Sequence, residues 1–142
     1  MTRKASIKLV PTSIQTAITK DELKALFHYY KEITSKTGSQ IDWMYDQAAF
    51  PYDIKEDLDQ QNNSFYLYSK QDRYHLILIG IEQEIITDEN GDQEKQTYIR
   101  VTLPSSSTYG DKGKANEFCK FVAKQLHGDL QLFNGRVMYF SR

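Results

Sequence analysis

One cysteine stands in 142 residues, alongside three histidines and three prolines. A lone Cys119 permits neither an intramolecular disulfide nor a cysteine-based metal cluster. His28, His75 and His127 lie far apart, and none has a partner at the i, i+4 spacing of a helical metal pair. No Gly-x-Ser-x-Gly elbow is present, so a Ser-His-Asp hydrolase has no anchor. Long apolar runs are missing too. The longest, Leu76–Ile81, is far too short to span a bilayer. Met1–Ile7 lacks an apolar signal core, which makes the cytoplasm the expected compartment and a membrane an unexpected partner. Charge of one sign is also absent: the net charge of −1 gives no global field for nucleic acid or anionic lipid.

What is present is aromatic. Ten Tyr and seven Phe favour a sheet with large side chains on its faces. The length and the balance of apolar and charged residues fit one globular domain, residues 1–142. The charge is unevenly spread. Residues 1–40 carry seven Lys/Arg against three acids, and residues 41–72 carry two against seven. Residues 111–142 carry six Lys/Arg against three acids. Basic ends flank an acidic middle, and they form a basic patch if they meet in space.

Ser6–Val10 reads as a strand ended by Pro11. Thr19 and Glu22 make a capping box, with Ile18 and Leu23 as its hydrophobic staple. Leu23, Leu26, Phe27, Tyr30 and Ile33 then recur at helical spacing, and Gly38 is the expected stop. A short aromatic-rich helix is expected from Ser39 to Phe50, and residues 53–63 read as irregular. Strands follow at Ser64–Tyr68, Arg73–Ile86 and Glu94–Leu103, the last two joined at Asn90-Gly91. A second amphipathic helix is expected from about Gly113 to His127, with Ala115, Phe118, Cys119, Val122 and Leu126 as its stripe and Gly128 as its stop. Leu130–Phe133 and Arg136–Phe140 form a hairpin about Asn134-Gly135. The expected fold is α+β: a mainly antiparallel sheet of about five to six strands, two amphipathic helices on one face, and the short helix.

Candidate chemistry is sparse. Gly110, Lys112, Gly113 and Lys114 open the second helix, with Ser106 in the hydroxyl-rich loop before it. Free N–H groups at a helix start, beside two lysines, can hold a phosphate. The spacing is not that of a Walker A loop. Gly-x-x-Gly is the backbone clamp of KH domains, but there it joins two helices, and here a strand and a Ser-rich loop precede it. Trp43, Tyr45, Phe50 and Tyr52 crowd one turn-rich stretch and read as core or as a recognition surface. Cys119 lies on an apolar stripe and reads as an inert thiol. The acidic stretches lack the spacing of a calcium loop, so no metal or cofactor is expected.

Ile41-Asp42-Trp43, Ala48–Tyr52, Gly110–Phe121 and Leu132–Phe140 together resemble a family of small uncharacterised proteins from bacilli and related bacteria. The resemblance covers nearly the whole chain and implies a free-standing cytoplasmic α+β protein of unknown function. It brings no catalytic residue. Three functions stay open. The first is a non-enzymatic binding or protein-interaction domain, with self-association as one form of it. The second is a binder of a phosphate-bearing ligand or nucleic acid through Gly110–Lys114. The third is an enzyme of unfamiliar type.

Overall fold

The structure is a computed structural model that describes residues 3–41, 50–56 and 63–141, with backbone only for 35–41. Its elements run β1 (Arg3–Lys8), α1 (Lys20–Ile41), β2 (Asp53–Lys55), β3 (Ser64–Tyr68), β4 (Leu76–Thr87), β5 (Gln93–Leu103), α2 (Tyr109–Leu126), β6 (Asp129–Gln131) and β7 (Val137–Tyr139). The strands form one sheet in the order β2-β3-β4-β5-β1-β6-β7. Every neighbouring pair is antiparallel. The fold is α+β, as the sequence led one to expect, with one strand more. The extra strand is β2, which lies in a stretch read as irregular and pairs with β3 through only three residues.

Alternation fixes which face is buried. Leu130, Ile7 and Ile99 lie opposite one another across three strands, and Ala5, Val101, Ile79 and Phe65 form the next row. All are buried. Side chains on alternate positions point to the other face, so Ser6, Arg100, Gly80 and Ser64 form a row there. The helices cover the first face. Leu23 and Phe27 of α1 join Ala115, Phe118, Cys119, Val122 and Leu126 of α2 in one core with the strand residues.

The aromatic surplus sits mostly in that core. The Phe118 ring lies 5.7 Å from Phe27, 5.3 Å from Tyr30, 5.4 Å from Phe50 and 5.9 Å from Tyr52. These tilted and edge-to-face contacts join both helices to the segment before β2. The Thr19–Glu22 capping box forms, with Glu22 N donating to Thr19 Oγ1 and Thr19 N donating to Glu22 Oε1. Gly38 does not stop α1, which continues to Ile41. A helix-interior glycine costs only about 1 kcal/mol relative to alanine, too little to end a helix by itself. The short helix expected from Ser39 to Phe50 falls mainly on residues 42–49, outside the described residues; its first residues belong to α1.

Both hairpins close in the same way. Gly91 and Gly135 have φ of 81° and 88°, which an L side chain adopts only under strain. Each ends a three-residue loop: Asp88 N donates to Asp92 O, and Leu132 N donates to Arg136 O.

Candidate functional site

The second helix begins a turn before the expected Gly113. Thr108 is its N-cap, with extended φ and ψ of −95° and 172°, and it forms a capping box with Asp111. Asp111 N donates to Thr108 Oγ1 at 3.0 Å, and Thr108 N donates back to Asp111 Oδ2 at 3.0 Å. The Asp111 carboxylate is fully buried. It also accepts from Tyr52 Oη at 2.5 Å, from His75 N at 2.9 Å and from Leu76 N at 3.1 Å. Burial alone would raise the Asp111 pKa. The Tyr52 hydroxyl and the backbone donors outweigh it and hold the carboxyl below its ordinary value. Burial first, and then the bond to Asp111, push the Tyr52 phenol above its own. The positive end of this helix therefore faces an anion supplied by the chain itself.

The five residues expected to bind an anion are separated by this start. Gly110 is packed against the connection before β4, where a Cβ would run into Arg73 O and the Tyr74 ring. Gly113 faces open space. Lys114 pairs with Glu117 at 3.2 Å. Ser106 is exposed in the turn after β5. Lys112 lines two neighbouring clefts.

The larger cleft is the most strongly charged feature among the described residues. Its volume is about 810 Å³, and Arg3, Lys4, Lys112, Lys120 and Arg136 surround it, with Asn116 and Asn134 between them. The lining contains no acid. All five cations are exposed. Among the described residues none of them is ion-paired; the ion pairs here engage Lys20, Lys24, Arg100 and Lys114. The topology explains the gathering. Lys112, Asn116 and Lys120 recur every four residues and so share one face of α2. Pairing of β1 with β6 stops at Ser6↔Gln131, so Arg3 and Lys4 stand beside the β6–β7 turn. That turn, closed by Gly135, returns the chain at Arg136. The basic ends of the sequence thus meet.

The aromatic set has a different fate. Phe50 and Tyr52 are 5% and 3% exposed, so they belong to the core and not to a recognition surface. Trp43 and Tyr45 lie outside the described residues. Cys119 has no exposed surface, and burial pushes its thiol up to about 12. Among the described residues no three His, Cys, Asp or Glu side chains gather as for a metal ion. No described helix is long and apolar enough to cross a membrane.

Four of the five groove cations, Arg3, Lys4, Lys120 and Arg136, were not singled out in the sequence. The four-residue spacing of Lys112, Asn116 and Lys120 is the signal that marks one of them. The others depend on strand order.

The sequence matches the family described as Domain of unknown function (DUF1885) over residues 3–142. The chain belongs to this family. A solved structure is similar: "Crystal Structure of Protein of Unknown Function from Bacillus stearothermophilus", at 38% identity and a TM-score of 0.56, covering 89% of this chain and 92% of that one. Nothing among curated proteins matches. The resemblance to uncharacterised bacillar proteins is thereby established, and neither the family nor the similar structure indicates a specific function.

Proposed function

We propose that this domain is a cytoplasmic, non-enzymatic binding module whose ligand is an anion bearing several phosphates, held in the groove between α2 and the β6–β7 turn. The carrying observation is the ring of five exposed, unpaired cations about an acid-free cleft of about 810 Å³. The chain as a whole is slightly acidic, so this concentration is not its background. Like charges held together repel, and a polyanion relieves that repulsion while releasing counterions. Arg3 and Arg136 offer planar forks for phosphate oxygens, and the lysines offer point charges. The lining holds no His, Cys, Asp or Glu, so it offers no acid–base pair of the usual kind. Of the two lysines at the start of α2, Lys112 lines the groove, while Lys114 pairs with Glu117 and Gly110 packs against Arg73 and Tyr74.

Calorimetry with inorganic tripolyphosphate at low ionic strength tests it. Binding is expected, with affinity falling steeply as salt rises. Lys120→Glu with Arg136→Glu is expected to abolish it, while Lys95→Glu on the exposed hairpin leaves it unchanged. No heat of binding at low salt, or equal binding by the double variant, overturns the proposal.

A protein partner is the second reading. Leu78, Val137 and Tyr139 are 37%, 43% and 54% exposed on the sheet face away from the helices, which supports association through that face. Self-association would appear as a dimer by light scattering, lost on Leu78→Asp.

A further inference from the structure

The groove does not end at Lys112. A second cleft of about 530 Å³ continues from it, and Arg3 and Lys112 line both. The character of the lining changes there. No further cation joins, and the walls come from Leu103, Pro104, Ser105 and Ser107. Tyr109 stands on its rim at 94% exposure, the most exposed large hydrophobic side chain among the described residues. Phe133 lines the charged cleft at the other end. An inorganic polyphosphate would use the cations and leave the part of the second cleft beyond Arg3 and Lys112 empty. A ligand that alternates phosphates with flat aromatic groups uses both.

We infer that the ligand is single-stranded nucleic acid, its phosphates following Arg136, Lys120, Lys112 and Arg3 and a base stacking on the Tyr109 ring; this rests on the anion-binding reading above. Lys112 and Lys120 stand two turns apart on α2, about 12 Å at 1.5 Å per residue, so one phosphate cannot meet both. A chain of several phosphates can. Stacking needs an unpaired base, which selects a single strand over a duplex. Tyr109 occupies the first position of α2 with its ring in solvent, so the fold does not need the ring. The Ser105 side chain, beside the same cleft, offers a hydroxyl to a sugar or base edge, while the Ser107 hydroxyl donates to Leu76 O at 2.8 Å and can only accept.

Fluorescence anisotropy with labelled oligothymidylate and oligouridylate of about twelve residues, a length within known single-strand site sizes, tests the inference. The same titrations are run with a duplex of equal length, and with unlabelled tripolyphosphate as competitor. Both single strands are expected to bind more tightly than the duplex. The logarithm of affinity is expected to fall with the logarithm of salt at a slope of about −3, for four to five phosphates neutralised. Tyr109→Ala is expected to weaken the single strands about tenfold or more and leave tripolyphosphate competition on the remaining groove unchanged. Tyr109→Phe, which keeps the ring, is expected to restore binding. If tripolyphosphate binds while the oligonucleotides bind no better than the duplex, or if Tyr109→Ala leaves their affinity unchanged, this inference fails and the anion-binding reading stands. If neither probe binds at low salt, both fall.

Discussion

The Tyr52 hydroxyl donates across 2.5 Å to the Asp111 carboxylate, joining the segment before β2 to the first turn of α2 inside the core. This bond, the Thr108 cap and the backbone donors of His75 and Leu76 make Asp111 the point where three separate stretches of chain are fastened. Tyr52→Phe is expected to cost about 2 kcal/mol, the scale of a hydrogen bond to a charged group. Asp111→Asn is expected to cost about 3 kcal/mol or more, because an amide turns a donor towards donors it cannot satisfy. Denaturant unfolding of each variant measures both.

The same carboxylate makes part of the stability depend on pH. Its pKa is lower in the folded chain than in the unfolded one. The unfolded state therefore takes up a proton first as pH falls, and protonation favours unfolding. The contribution is fully present above about pH 4, the ordinary aspartate value, and is lost as pH falls through the lower folded value. The stability gap between the natural chain and Asp111→Asn is expected to be constant from neutral pH to about 5 and to shrink below about 4. A gap that stays constant through acid unfolding would mean that Asp111 is not ionised in the fold.

Gly110 and Gly113 look alike in the sequence and are opposite in the structure. At Gly110 a methyl group would strike the Arg73 backbone, which cannot yield as a flexible side chain would. Gly110→Ala is expected to destabilise by about 2 kcal/mol or more. Gly113 sits inside α2 with nothing near its missing Cβ. Gly113→Ala is expected to stabilise by about 0.5–1 kcal/mol, through helix propensity and a less flexible unfolded chain. Thermal melts of the two variants should move in opposite directions. A loss of stability at Gly113 comparable to that at Gly110 would contradict this placement.

The fold was largely legible in the residues, for local reasons. The Thr19–Glu22 box, the two Asn-Gly turns and the stripe from Ala115 to Leu126 each act within one element and so survive being read one segment at a time. The second capping box, Thr108 with Asp111, obeys the same rule and was hidden by the glycines beside it. These glycines push the expected start of the helix to Gly113, although Gly110 is already helical and lets α2 press against Arg73. The groove was legible only in outline. Basic ends in the sequence raise the question of a patch, but Arg3 meets Arg136 only because β1 lies between β5 and β6 in the sheet. That order follows from long-range pairing, which no local pattern encodes. Burial of Phe50 and Tyr52 is of the same kind: it depends on Phe118, more than sixty residues away in the chain.

Cys119 gives a direct readout of opening. Its thiol is fully enclosed and burial holds it protonated, with a pKa of about 12. Only the thiolate reacts quickly with disulfide reagents, so the folded chain is expected to be nearly inert to them at pH 8. Labelling should proceed at the rate at which α2 detaches from the sheet, and it should accelerate in denaturant in parallel with global unfolding. Fast, denaturant-independent labelling would mean that the thiol is reachable from the surface.

His127 carries the last prediction. It is the one non-glycine residue among those described with a positive φ, 54°, and it ends α2. Its N–H donates to Lys124 O, and the next residue, Gly128, donates to Ala123 O, the two bonds of a Schellman turn. The sequence suggests that Gly128 takes the left-handed position. The structure gives that position to the histidine and uses Gly128 for contact, because a Cβ there would lie 2.8 Å from Ile7 Cγ2 and 3.1 Å from Lys8 O. Two residues competed for one glycine, and close packing against β1 took it. An L side chain in the left-handed region costs about 1 kcal/mol, which glycine avoids. His127→Gly is therefore expected to stabilise by up to about 1 kcal/mol, less the added freedom of the unfolded chain. Gly128→Ala is expected to destabilise by about 2 kcal/mol or more through the clash with Ile7. Chemical denaturation of the two variants decides it, and a destabilised His127→Gly would show that the imidazole makes a contact worth more than the backbone strain it imposes.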